Sequence, residues 1–201
     1  MMVFRSFLAA ALLVATTLPA AAEKLSLAEI SRYLNDLQTA QGAFTQINDD
    51  GTIDTGTIYI KRPGRVRFEY APPNPALVLA GAGSVAVFDA RSNMGPDVYP
   101  LNQTPLSIIL ARDVDLTRAR MVVGHETDGT TTTVTAQDPD NPDYGNIQLV
   151  FTANPTELRQ WKINDSAGGT TTVVLGEMTV GGAISNRQFD IQREAERRSG
   201  R

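Results

Sequence analysis

Cysteine is absent from this chain and histidine occurs once, as His125. Without a thiol there is no disulfide, no cysteine nucleophile and no cysteine to carry a lipid, and a single imidazole cannot build a multi-histidine or cysteine zinc site. A Ser-His-Asp arrangement would have to use His125, which sits in a strand-like stretch, and no nucleophile-elbow sequence occurs anywhere. His125 therefore reads as a structural or surface histidine. An excess of positive charge is also lacking: 18 Lys and Arg face 22 Asp and Glu, a net charge of −4. A nucleic-acid backbone is thus not an expected partner. Glycines stand singly or in pairs at turns, with no phosphate-cradling motif and no internal repeat. Residues 138–143 offer several oxygens but not the glycine and terminal glutamate of a calcium loop, so they read as a hairpin turn. No metal or cofactor is expected.

Long apolar runs are missing as well, except near the start. Arg5 gives a positive n-region, Phe7 to Leu18 is a mostly apolar run of 12 residues, and Pro19-Ala20-Ala21-Ala22 places small residues ahead of Glu23. This is the pattern of a cleaved secretory signal peptide over residues 1–22, too short to span a bilayer. A periplasmic location is expected. With no paired arginine in the n-region, export in an unfolded state is expected too. Residues 23–201 then read as one domain, and removal of Arg5 leaves it one unit more acidic. The basic run 193–201 reads as a flexible, solvated tail.

What is present is one helix followed mainly by strands. Between Leu25 and about Ala40, the apolar residues Leu27, Ile30, Leu34 and Leu37 recur at spacings of three and four, on one helical face. Ser26 with Glu29 makes a capping box, and Gln41-Gly42 supplies a stop. Strands are expected at 43–48, 55–62, 65–70, 76–80, 84–90, 120–127, 130–137, 146–152, 158–164, 170–180 and 188–192. In the third, Val66, Phe68 and Tyr70 face one way and Arg65, Arg67 and Glu69 the other, as in an antiparallel sheet wet on one side. About eleven strands are too many for a flat sheet, so the sheet should curl toward a barrel. Thr104-Pro105, followed by Leu106, Ile108, Ile109 and Leu110, reads as a short helix with a capping threonine. Apolar on most sides, it needs an apolar cover, and it and the first helix can cap the same end of the sheet.

The stretch Gly56-Thr57-Ile58-Tyr59-Ile60-Lys61-Arg62-Pro63-Gly64-Arg65-Val66-Arg67-Phe68-Glu69-Tyr70, followed by Ala71-Pro72-Pro73, resembles the periplasmic outer-membrane lipoprotein carrier family (LolA-like). That family's hairpin runs glycine, alternating strand, Lys-Arg-Pro, aromatic strand, proline. Gly42-Ala43-Phe44-Thr45-Gln46 is similar to its first strand, Thr104-Pro105-Leu106 with Ile108 to Leu110 to its central lid helix, and Phe189-Asp190-Ile191 to its closing strand. The resemblance covers essentially the whole of residues 23–201. It implies a mainly β fold with a helical lid: an incomplete antiparallel barrel closed by an N-terminal helix and a short central helix around an apolar cavity for acyl chains. It further implies that Arg62 latches the lid through its backbone. The cavity would be lined by Phe44, Val66, Phe68, Tyr70, Leu106, Ile108, Ile109, Leu110, Leu27, Ile30 and Leu34. A monomeric, non-enzymatic chaperone is implied, carrying triacylated lipoproteins from an inner-membrane lipoprotein-releasing ABC transporter to an outer-membrane receptor or directly to the outer membrane.

Other readings stand beside this one. The same fold can carry another lipid or sense envelope stress. A hydrolase built on Asp89 or Glu69 lacks a second carboxylate placed opposite. Phe44, Phe68 and Ile109 can also simply fill a dry core.

Overall fold

The computed structural model describes residues 23–89, 95–165 and 167–200. The expected signal peptide, residues 1–22, and Ala90 at the end of the fifth expected strand lie outside them.

Helix α1 spans Leu27–Asp36 and starts where the capping box places it: Glu29 N–H donates to Ser26 Oγ at 3.2 Å and Ser26 N–H to Glu29 Oε2 at 2.8 Å. It ends earlier than the apolar spacing suggests. Thr39 and Ala40 already pair with Lys61 and Ile60, so their backbone groups belong to a strand ladder and are not free to continue a helix. Gly42 is not the helix stop but a strand glycine. A Cβ there would come within 2.5 Å of Glu177 O, a close backbone approach that only glycine permits.

The strands are β1 (Thr39–Ile47), β2 (Ile53–Lys61), β3 (Arg65–Tyr70), β4 (Leu77–Gly81), β5 (Ser84–Phe88), β6 (Asp97–Pro100), β7 (Val122–Thr127), β8 (Thr131–Gln137), β9 (Gly145–Thr152), β10 (Glu157–Asp165) and β11 (Thr170–Val180). They form one antiparallel sheet in the order β6-β5-β4-β3-β2-β1-β11-β10-β9-β8-β7. β6 and β7 are its two edges and do not pair with each other, so the sheet is curled and open: an incomplete barrel, as expected. A bulge between Gly42 and Phe44 shifts the β1–β11 register at the middle of the sheet and adds twist where curvature is needed.

Two elements depart from the expected layout. The eleventh strand is β6, which the sequence hides: Asp97-Val98-Tyr99-Pro100 is short and ends in proline, leaving no period to read. The expected closing strand at 188–192 is instead a 3-10 turn at Asn186–Phe189 leading into helix α3, Ile191–Arg198. Asp190 caps that helix by accepting Arg193 N–H at 3.0 Å, and residues 193–198 of the basic run expected to be a flexible tail lie in this helix.

The two faces of the sheet carry separate apolar clusters. On the inner face Phe44, Ile58, Ile60, Val66, Phe68 and Trp161 pack with Ile30 and Leu34 of α1 and with Ile109 and Leu110 of the short helix α2, Leu106–Leu110. On the outer face Leu77, Leu79, Ala86 and Phe88 are covered by Ile184, Phe189, Ile191 and Ala195. The outer face of β3 is therefore only partly wet. Arg67 is 8% exposed, and its guanidinium reaches Glu69 at 2.6 Å and the buried Glu194 of α3 at 3.4 Å. An arginine–carboxylate pair of this kind tolerates burial where a lone charge would not.

Candidate functional site: a hydrogen-bonded helix over an apolar interior

The β2–β3 turn is the meeting point of sheet, α1 and α2. Arg62, 5% exposed, donates from Nε to Ala111 O at 3.2 Å and from Nη2 to Ala111 O, with Asn35 Oδ1 and Arg112 O each 3.4 Å away. Gly64 N–H donates to Leu110 O at 2.9 Å. Helix α2 thus ends with the carbonyls of Leu110, Ala111 and Arg112 turned toward one tight turn. These are groups that no helical N–H can satisfy, and here the turn satisfies them. Burial lowers the Arg62 pKa from its ordinary value, partly opposed by Asp113; a guanidinium nevertheless stays charged. Arg62 Nη1 is buried and finds no acceptor among the described residues.

A second arm comes from α1 and was not read from the sequence. Asn35 clasps Val114 through both backbone groups, accepting its N–H at Oδ1 and donating Nδ2 to its carbonyl, each at 2.9 Å. One turn earlier, Ser31 Oγ accepts Leu116 N–H at 2.9 Å. The available signal was positional: Ser31 and Asn35 are four residues apart beside the Leu27, Ile30, Leu34 stripe, the place for polar groups that reach a neighbouring segment.

The expected cavity residues do gather. Ile30, Leu34, Phe44, Val66, Phe68, Ile109 and Leu110 are buried, while Leu27, Tyr70, Leu106 and Ile108 are half-buried against them. Phe44 meets Phe68 edge to face at 5.3 Å and Tyr70 at 5.2 Å, and Phe68 meets Trp161 at 6.0 Å. Tyr70 donates its hydroxyl to Gln46 Oε1 at 2.7 Å, and burial pushes its pKa up to about 12. In this closed arrangement the wall residues touch one another. Beside α2, a cleft of about 350 Å³ opens between Pro105, Ser107 and Ile108 on one side and Met121, Gln137 and Ile147 on the other.

Contrary to expectation, helix α2 is not capped by Thr104. Thr104 Oγ1 donates to Leu101 O at 2.8 Å, and Pro105, with φ −58°, stands at the cap position without a side-chain bond. Ile109 and Leu110 are buried and Leu106 and Ile108 half-buried, so the helix has cover on most of its sides. His125 lies on β7 with Nε2 2.8 Å from Leu25 O, tying down the chain ahead of α1. The 138–143 stretch is a hairpin connection in which Asp138 Oδ1 accepts Asp140 N–H at 2.8 Å. Among the described residues no group of three or more His, Cys, Asp or Glu is placed to hold a metal, and no helix is long and apolar enough to cross a membrane.

Comparison with known proteins bears on the same region. The chain is 22% identical over 205 residues to the outer-membrane lipoprotein carrier protein of Pseudomonas paraeruginosa, covering 94% of each. It is 34% identical over 80 residues to that of Alkalilimnicola ehrlichii, covering 37% of each. Among solved structures, a LolA superfamily protein from Nitrosomonas europaea aligns with TM-score 0.45 at 11% identity, covering 84% of this chain and 99% of that one. The family described as "Outer membrane lipoprotein carrier protein LolA" matches residues 35–192, from Asn35 of α1 to the start of α3. The match takes in the β2–β3 turn and α2, and the chain belongs to that family.

Proposed function

We propose that the protein is an exported periplasmic carrier that shields the acyl chains of lipoproteins between the inner and outer membranes, with α2 as its lid and Arg62 as the latch. The cargo is triacylated lipoprotein, taken from an inner-membrane releasing ABC transporter and passed to an outer-membrane receptor or to the membrane itself.

The observation that carries this reading is a lid held by hydrogen bonds over an apolar interior. Each exposed CH₂ of an acyl chain costs about 0.8 kcal/mol, so three chains cannot cross water bare. A shielded interior removes that cost, but release demands a closed state of small advantage. Hydrogen bonds of about 1 kcal/mol each provide such an advantage, and an unpartnered buried donor such as Arg62 Nη1 subtracts from it by roughly 1–3 kcal/mol. In the closed form Ile109 and Leu110 contact α1 and the sheet; when cargo enters, acyl chains take over those contacts, so α2 moves at small net cost. The cleft beside Ile108 is bordered by Met121 and Ile147, which pack on the same core, and is the place where a chain would begin to enter. Depleting the protein from cells and fractionating the envelope tests the reading. Lipoproteins should accumulate at the inner membrane, and an unchanged distribution between membranes would refute it.

A further inference from the structure

The outer face of the molecule carries a basic surface that the lid, the latch and the interior do not use. The chain as a whole is acidic, yet the 3-10 turn brings Arg187, and α3 brings Arg193 and Arg197, beside Arg67 of β3. A shallow cleft of about 250 Å³ forms among them, lined by Arg67, Arg187, Arg193 and Arg197 with Glu69 and Glu194.

The pairing within this cleft is unequal. Glu194 is engaged by Arg67, Arg197 and Arg198, and Glu69 by Arg67. Arg187 and Arg193 are exposed, and among the described residues neither side chain forms an ion pair or hydrogen bond. Asp190 and Glu196 stand on the same elements, but Asp190 Oδ1 accepts Arg193 N–H, and Glu196 Oε1 accepts Gln192 Nε2 at 3.3 Å. Two guanidinium forks therefore point into solvent at one cleft, with the local carboxylates already bonded. Guanidinium recognises phosphate oxygens bidentately.

We propose that this face, centred on Arg187 and Arg193, docks the protein on a membrane through the phosphates of anionic lipid headgroups. An exposed pair of arginines at the rim of an open cleft suits a plane of headgroups better than one enclosed anion. Apart from the Tyr59 ring, the cleft is lined by polar and charged residues, and so lacks the apolar anchor that a protein partner ordinarily fills. The inference is independent of what the interior carries.

The test uses cargo-free protein and the double variant Arg187→Gln/Arg193→Gln, which leaves Glu194 and its partners intact. Sedimentation with vesicles of phosphatidylethanolamine and phosphatidylglycerol should show binding that weakens as salt rises, and vesicles of phosphatidylcholine alone should bind far less. At about 1 kcal/mol for each arginine near an anionic surface, the double variant should bind the anionic vesicles about thirty-fold more weakly. Wild-type binding unaffected by the double substitution, or equal binding to both vesicle types, would overturn the proposal. So would saturation by inorganic phosphate without vesicle binding, which would mark a soluble-anion site. Arginine-dependent binding of polyglutamate without vesicle binding would assign the face to an acidic protein partner instead.

Discussion

Asn35 Oδ1 and Arg62 Nη2 lie 3.4 Å apart, and the same Asn35 oxygen accepts Val114 N–H at 2.9 Å. One amide oxygen thereby touches Arg62 of the β2–β3 turn and the backbone that follows α2. Helix α1, the β2–β3 turn and residues 111–116 are coupled at this point, and loosening either side chain should loosen the same segment.

Arg62→Leu removes the charged hydrogen bonds to Ala111 and Arg112 without altering strand pairing, since Arg62 N–H, which donates to Gln38 O at 2.8 Å, is kept. The barrel should stay folded while the closed lid loses about 2 kcal/mol, so amides of residues 104–112 should exchange about thirty-fold faster than in the wild type. Amides of β3 should be unchanged. Exchange of 104–112 at the wild-type rate would show that Arg62 does not hold the lid.

Asn35→Ala deletes both bonds to Val114 and should release residues 111–116 by about 1–2 kcal/mol. Asn35→Asp keeps the acceptor facing Val114 N–H and adds a charge beside Arg62, losing only the donor to Val114 O. Its exchange should fall between those of wild type and the alanine variant. An aspartate variant as loose as alanine would mean the Oδ1 contacts contribute nothing.

Glu194 gives the protein an acid-sensitive tie. Burial pushes its carboxyl up, but hydrogen bonds from Arg197 and Arg198 and the charge of Arg67 outweigh this and bring its pKa from 4.5 to about 2. A depressed carboxylate contributes its stability above its unfolded value and loses it as pH falls through the folded one. On the order of 2–3 kcal/mol should therefore disappear between about pH 5 and pH 2. Glu194→Gln should flatten that part of the denaturation profile and destabilise the protein at neutral pH, where Arg67 stays buried with Glu69 alone. A variant profile parallel to the wild type would rule out the tie.

Gly56 lies under Phe44: a Cβ there would stand 2.1 Å from Glu69 O and 2.6 Å from the Phe44 ring. Gly56→Ala should force the β2–β3 ladder apart and displace Phe44 from Phe68, costing about 1–3 kcal/mol as overpacking does. Chemical denaturation measures it, and an unchanged midpoint would show that the ring moves freely.

Most of the sheet was legible because period-two alternation over β3, β8 and β9 is strong, and the helix–strand change after α1 is marked by the capping box and the switch of period. The lid helix was legible from Pro105 and its apolar cluster, though not its true cap. Missing was whatever depends on tertiary partners. β6 is held by Val98 and Tyr99 pairing with Ala86 and Val85, which no local period records. α3 has few apolar residues and looks like a solvated basic run, until Ile191 and Ala195 pack on the outer-face cluster that contains Leu79 and Phe88. Asn35 and Ser31 carry no chemistry of their own and matter only because Val114 and Leu116 lie opposite. Arg62 entered through resemblance, and its carbonyl partners became visible only in three dimensions.

The claim on which the account rests is that the closed apolar interior admits acyl chains. Trp161 is the only tryptophan, 2% exposed and 6.0 Å from Phe68, so it reports on that interior alone. A synthetic triacylated peptide with bromine atoms on its acyl chains should quench Trp161 fluorescence on binding. Mid-chain bromines should quench most, and Arg62→Leu should change the rate at which quenching develops. Stoichiometric binding of the peptide with Trp161 emission unchanged would mean that the chains never enter, that Phe44, Phe68 and Ile109 form an ordinary dry core, and that the lid is no lid.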